Sequence, residues 1–243
     1  MTPIISVLIP VYNRGKMLVE AIDSILGQSF QDFKIIIYDD ASTDNTLTYI
    51  PKSDKIKIIR GKKNMGVAYA RSILLNAADT KYACWQDSDD VAHPDRLLKQ
   101  INKLRATKVD MVFCYMKFFR HGQAYNRKIA PIYKVDVSKY NTSEGLNGNN
   151  MCFATAMFDV ARCSREKFDF AKRCGEDLDW LRRLAFGPTK ASFATVPLAL
   201  YYCRRHPGRL TYARLVKKLR KSGKNPMENN RIKSHQPIKK SKQ

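Results

Sequence analysis

The sequence predicts an α/β fold, a mostly parallel sheet flanked by helices, with a less regular second half. Three observations predict it. Short β-branched runs alternate with amphipathic segments four times in about the first hundred residues. The runs end abruptly in turn-forming or acidic residues, as buried parallel strands do where they leave a sheet. Hydrophobic residues make up 44% of the 243 residues and aromatics 10%, enough for a substantial core and unlike a disordered chain.

Ile4 to Ile9 is a β-branched run stopping at Pro10, and reads as the first strand. Asn13 can cap the helix that follows, in which Leu18, Ala21, Ile22, Ile25 and Leu26 recur at helical spacing before Gly27. Lys34 to Tyr38 is a second strand, ending in Asp39-Asp40, and Ser42 to Asp44 offer caps for a short helix. Lys55 to Ile59 is a third strand and Val67 to Ala78 a helix. Tyr82 to Trp85 is a fourth strand, which runs into Gln86-Asp87-Ser88-Asp89-Asp90. Pro94 suits the first turn of a helix carrying Leu97, Leu98, Ile101 and Leu104.

The second half is less periodic. Asp110 to Phe119 reads as a strand, residues 120–150 as a polar loop, and Cys152 to Phe158 as a short strand. A helix starts near Glu176 and ends at Gly187-Pro188, and Phe193 to Tyr202 is the last strand. The division is one domain over residues 1–211, with a regular half to about residue 105 that carries the acidic strand ends and a less regular half after it. Residues 212–243 form a basic, flexible tail.

Charge is unevenly spread. The net charge is +22, yet residues 1–50 hold six acids against three bases. Residues 214–243 hold eleven Lys and Arg against one Glu. The excess suits a phosphate-bearing partner, and the tail suits an anionic membrane surface. Nucleic acid is disfavoured, because the acidic clusters crowd the strand ends and no helix-turn-helix, zinc-finger or RNP pattern occurs. The alternative kept open is a basic nucleic-acid-binding protein whose α/β fold carries a degenerate or inactive site. Six scattered cysteines with no C-x-x-C pair read as buried free thiols. No apolar run reaches about 18 residues, so no membrane span is expected. The amino terminus lacks the basic region and cleavage site of a secretory signal, which gives a cytoplasmic expectation, peripheral at a membrane through the tail.

Three carboxylates in four residues, Asp87, Asp89 and Asp90, repel one another unless a cation offsets them. Hard oxygen ligands of this kind suit Mn²⁺ or Mg²⁺, which also bridge diphosphate oxygens. A solvated acidic turn is the competing reading of that cluster. Acids at Glu176 and Asp177 are favoured at a helix start by the macrodipole alone, so their spacing does not decide between capping and catalysis.

Taken together, the segments Val7 to Asn13, Ile37 to Asp44, Asn64-Met-Gly66 with Ala70-Arg71, Asp87 to Asp90 with Pro94 to Leu97, and Glu176-Asp177 resemble glycosyltransferase family 2, in the family's order and spacing. The resemblance spans residues 4 to about 206. It implies a GT-A (Rossmann-like) fold, a nucleotide-diphospho-sugar donor with UDP-sugar favoured, and inversion at the anomeric carbon. It places Pro10, Tyr12 and Asn13 at the nucleoside, with Asp40 and Asp39 accepting from base or ribose. Arg71 falls near the diphosphate, Asp87 at the ribose or the ion, and Asp89 and Asp90 at the metal. Asp177 becomes the general base, His206 a further metal ligand, and Arg205 the group at the diphosphate leaving group. The chain lacks the Q-x-x-R-W pattern of processive synthases, so transfer of one sugar is expected. Residues 120–150, where the family shapes acceptor choice, carry no recognisable motif, and glycan, lipid-linked and protein acceptors all stay open.

Overall fold

A computed structural model describes residues 3–120, 132–133, 152–172 and 175–209. The expected tail and most of the expected loop over 120–150 lie outside these residues.

The strands are β1 (Ile5–Val11), β2 (Phe33–Asp39), β3 (Ile56–Arg60), β4 (Tyr82–Trp85), β5 (Val91–Ala92), β6 (Met111–Arg120), β7 (Ile132–Tyr133), β8 (Met157–Asp159) and β9 (Phe193–Arg205). The helices are α1 (Lys16–Leu26), α2 (Val67–Ala77), α3 (Arg96–Thr107), α4 (Val160–Cys163) and α5 (Glu176–Phe186). One mixed sheet runs β3-β2-β1-β4-β8-β6-β9-β5, with β7 paired to β6. The first four strands in that order are mutually parallel. β8 is antiparallel to both β4 and β6, β9 is parallel to β6, and β5 closes the edge antiparallel to β9.

β1, β2 and β4 are buried on both faces, which is why their sequences read as near-continuous apolar runs, whereas the edge strand β3 is partly exposed. α1 buries Leu18, Ala21, Ile22 and Ile25 along one stripe. The register sets Val11 beside Asp39 and Leu8 beside Trp85, so the carboxyl ends of β1, β2 and β4 come together at one edge of the sheet. On β9 the pairing with β6 jumps from Val196 to Ala199, and Pro197, which cannot donate to the ladder, sits in the bulge.

α5 is fixed to that edge by aromatic packing. Trp180 stacks on Phe168 at 5.1 Å between centroids and meets Trp85, Phe153 and Phe158 edge-on at 5.5–6.3 Å. Its indole N–H donates to the Glu166 carbonyl at 2.8 Å, so this fully buried ring leaves no polar atom unpaired.

Local expectations differ in four places. Asn13 does not cap α1: its Oδ1 accepts from the Thr43 and Asp44 amides, while Thr46 Oγ1 takes the Arg14 and Gly15 amides. The element after Ser42 is a single 3₁₀ turn over Thr46–Tyr49. Pro94 precedes α3 rather than entering it, and its carbonyl accepts from Ser29 N. The run from Cys152 divides into a 3₁₀ turn, Phe153–Thr155, and β8. Five cysteines are free and buried as expected, and Cys174 lies outside the described residues. Among the described residues no helix is long and apolar enough to cross a membrane.

Candidate active site

A pocket of about 480 Å³ opens at the carboxyl ends of β1, β2 and β4. Its walls come from Pro10 to Tyr12 and Arg14, Asp40, the start of α2 from Gly66 to Arg71, Asp87 to Asp89, Gly175 to Asp177, and Arg209.

Asp40 lies at the floor, 3% exposed, and its two carboxylate oxygens accept from the Met65 and Gly66 amides at 2.9 and 2.7 Å. Gly66 holds φ +90°, a backbone that side-chain-bearing residues rarely adopt, and this turns its amide toward Asp40. Asp39 is fully buried and not part of the lining: it accepts from Ser42 N at 3.0 Å and faces Arg60 at 3.5 Å. Asn13 likewise stands behind the wall, tying β1's end to the 43–44 loop. Pro10 and Tyr12 line the mouth, with Tyr12 39% exposed.

The acidic turn follows β4 directly. One ligand atom from each of Asp87, Asp89 and Asp90 falls within 4.8 Å of the other two. Asp89 Oδ2 receives His206 Nε2 at 2.9 Å and Arg14 Nε at 3.2 Å. Burial would push the Asp89 carboxyl up, but the His206 hydrogen bond and the Arg209 and Arg14 guanidinium groups reverse this and hold it at about 2. Asp90 is buried deeper. Its Oδ1 accepts from Arg204 N at 2.7 Å, while Oδ2 is buried without a hydrogen bond among the described residues. Burial, then repulsion from Asp89 and Asp87, lift Asp90 to about 8 despite Arg209. Burial also raises Asp87, against the pull of Arg71. Burial and mutual repulsion thus both oppose ionisation of Asp87 and Asp90, and a divalent ion would offset them.

Arg71 joins the two halves. It is 7% exposed, donates to Glu176 Oε1 at 2.7 Å, lies 3.6 Å from Asp87 Oδ1, and stacks over Phe153 at 4.3 Å. Its guanidinium is thus committed to carboxylates rather than held ready for phosphate alone. Glu176 and Asp177 open α5, where Gly175 at φ +73° makes the turn into the helix. Asp177 faces the pocket with Oδ1 accepting from Leu178 N.

Consecutive side chains on a strand point to opposite sides, so Arg204 and Arg205 diverge. Arg204 reaches the Asp89 carbonyl and Glu20, whereas Arg205, expected at the diphosphate, stacks over Phe118 at 4.2 Å and does not line the pocket. The arginine of this segment that lines it is Arg209, which follows the turn after β9. Arg209 and Arg14 were not among the expected site residues. The signal for Arg14 was a cation directly after the Pro10-Tyr12-Asn13 strand end; for Arg209 it was a cation beyond a Pro-Gly turn that reverses the chain.

A family model described as glycosyl transferase family 2 matches residues 6–164. The putative glycosyltransferase EpsE of Bacillus subtilis (strain 168) is 40% identical over 104 residues, covering 41% of this chain and 37% of that protein. The glycosyltransferase GlyG of Streptococcus pneumoniae serotype 4 is 30% identical over 116 residues, covering 46% of this chain and 38% of that protein. The chain thus matches well under half the length of either relative. Among solved structures, Staphylococcus aureus TarS 1-349 superposes with TM-score 0.66 at 22% identity, covering 84% of this chain and 60% of that one. A mannosyltransferase, PcManGT from Pyrobaculum calidifontis, in complex with GDP-Man and Mn²⁺, gives TM-score 0.64 at 17% identity, covering 90% and 61%. At such identities the likeness is one of fold, and the fold is GT-A.

Proposed function

This chain belongs to glycosyltransferase family 2, and on that premise we propose that it moves one sugar from a nucleotide-diphospho-sugar to an acceptor hydroxyl, inverting the anomeric carbon. The observation that carries the reading is convergence: Asp40, Arg71, Asp87 and Asp89 of the acidic turn, and Asp177, from four separate segments, meet at one pocket of about 480 Å³. The donors held by fold neighbours support the ligand class, since TarS structures contain UDP or UDP-GlcNAc and PcManGT contains GDP-Man. A UDP-sugar is favoured because Asp40 offers an acceptor to a uracil N–H and Tyr12 a ring face at the mouth.

Asp87, Asp89 and Asp90 are the carboxylates suited to Mn²⁺ or Mg²⁺, with His206 beside Asp89 as a nitrogen donor. The buried Asp90 Oδ2, which makes no hydrogen bond among the described residues and has Arg209 Nη2 only at 3.8 Å, fits this assignment. When bound, such an ion supplies charge neutralisation to the departing diphosphate. Arg14 and Arg209 add fixed positive charge at the same end of the pocket, the role first expected of Arg205. Asp177 takes the proton from the acceptor hydroxyl as it attacks, the base that a single inverting displacement requires. Glu176, paired with Arg71, fixes the start of α5 and so the position of Asp177.

The nucleic-acid reading is not favoured, because the pocket presents carboxylates and the family match is to glycosyltransferases. The test is donor turnover. Full-length protein with Mn²⁺ and a UDP-sugar is expected to release UDP, and Asp89→Asn or a chelator to stop the release. Release untouched by both would remove the metal from the account.

A further inference from the structure

Arg96 is fully enclosed by the fold, 0% exposed, yet among the described residues no carboxylate lies within ion-pair distance of it. A buried cation without a counter-charge is costly, and packing alone would be served better by an apolar side chain. Neutral acceptors satisfy it instead. Its Nε–H donates to Gln100 Oε1 at 3.0 Å, Nη1 to Gln86 Oε1 at 2.9 Å, and Nη2 to the Trp85 and Ala154 carbonyls at 2.8 and 3.0 Å. The Tyr201 ring lies 4.9 Å from the guanidinium carbon, where its face stabilises the charge.

Two of these neighbours lead to the acidic turn. An arginine only donates, so it dictates which end of the Gln86 amide faces it: the oxygen. The Gln86 NH₂ is thereby turned to the other side, where it donates to the Asp87 and Asp90 carbonyls at 3.1 and 3.0 Å, the first and last of the turn. Tyr201, whose ring packs on Arg96, accepts the Asp87 amide on its hydroxyl at 3.1 Å. Gln100, one helical turn after Arg96, anchors the set by donating to the Val112 and Thr155 carbonyls.

We propose that Arg96 is a positioning residue that sets the Asp87–Asp90 turn to receive a divalent cation with a nucleoside diphosphate, acting through Gln86 and Tyr201. The proposal rests on the donor-site reading above and extends it to a side chain that never touches ligand.

Gln86→Glu separates geometry from charge. The carboxylate keeps an acceptor for Arg96 and gives it a counter-ion, so thermal stability should hold or rise. It loses the paired donation to the turn, and the affinity for MnCl₂ in the presence of UDP, measured by calorimetry, should fall about 10–100-fold, as losing an outer-shell partner does. That direction opposes electrostatics, since an added carboxylate near a cation site would tighten binding. Tyr201→Phe, a conservative change, should weaken the same affinity several-fold with little change in melting temperature. Arg96→Lys should weaken it too, because one ammonium cannot hold four acceptors. Folded Gln86→Glu or Tyr201→Phe protein that binds Mn²⁺ with UDP as tightly as wild type would overturn the proposal. Wild-type protein that binds neither would instead remove the donor-site reading beneath it.

Discussion

The two halves of the sheet deliver residues to the pocket by different routes. In the parallel half most contributions lie at a strand end: Pro10 to Tyr12 at β1, Asp40 after β2, Asp87 to Asp89 after β4, with Gly66 to Arg71 added by the start of α2. In the mixed half they arrive from far along the chain. Glu176 meets Arg71 across 105 residues, Arg204 meets Asp90 across 114, and His206 meets Asp89 across 117. The first half can therefore form a donor cradle by local chain geometry. The second contributes the proposed base, His206 and Arg209, and its placement depends on tertiary contacts holding.

The sharpest break of that comparison is Asp177→Asn. Removing a general base is expected to lower kcat by about 10²–10⁴-fold. UDP binding in the presence of Mn²⁺, read by calorimetry, should stay within a few-fold of wild type because the cradle belongs to the other half. Loss of UDP binding instead would make Asp177 part of the cradle.

Next in size is the joint itself. Arg71→Met leaves Glu176 buried and unpaired, which should cost about 3 kcal/mol. For a chain of this size that lowers Tm by about 6–12 °C. Adding Glu176→Gln should return part of the loss, since the pair is coupled rather than additive. A single-variant melting curve that overlays the wild type would show that the halves are not held together there.

Asp40→Asn probes the cradle alone. One of the amides it holds at Met65 or Gly66 would face an NH₂ group instead of an oxygen, an expected loss of about 1–3 kcal/mol from the loop that walls the pocket. UDP affinity should drop while Asp177-dependent chemistry at saturating donor is little changed. A fall in kcat with unchanged KM would place Asp40 in the chemistry rather than in the wall.

The smallest effect tests the far half away from the pocket. Asp110 accepts from Arg162 Nε and from the Ser192 amide and hydroxyl, all at 2.8–3.0 Å, where it joins β6, α4 and β9. Burial would raise its carboxyl, but those hydrogen bonds outweigh it and hold it below the ordinary value. A depressed carboxylate stabilises the fold above its unfolded-state pKa, and the contribution is lost as pH falls through the folded one. Asp110→Asn should cost about 1 kcal/mol at pH 7 by urea titration and less at pH 3, below the ordinary carboxyl value, where the wild type has begun to lose the same contribution. An equal cost at both values would mean that packing, not charge, is involved.

The same contrast explains what was legible in the sequence. The strand–helix rhythm through α3 and the acid-bearing strand ends were readable because parallel strands are continuous apolar runs and their exits are local. Asp39 and Asp40 show where that ends: adjacent residues of one type, yet one anchors Ser42 behind the wall and the other floors the pocket, because alternation along a strand sends neighbours opposite ways. Arg204 and Arg205 differ for the same reason. Asn13 had the right chemistry for a cap, but the φ of +51° at that residue turns its side chain to Thr43 instead. Arg96 sat inside a recognised segment with nothing in its neighbours to show that it would be buried beneath the turn. Arg209 needed the path of the chain beyond β9, which no periodicity reports.

The central claim is that the pocket takes a nucleotide diphosphate together with a divalent cation. The most direct measurement is the melting temperature of the full chain across UDP-, GDP- and dTDP-sugars, each with and without Mn²⁺. At ligand about 100-fold above Kd, stabilisation of about 2.7 kcal/mol is expected for the cognate donor. A rise that requires both Mn²⁺ and one nucleotide sugar, largest for a UDP-sugar, is the predicted result. No rise with any donor at any Mn²⁺ concentration would contradict the account.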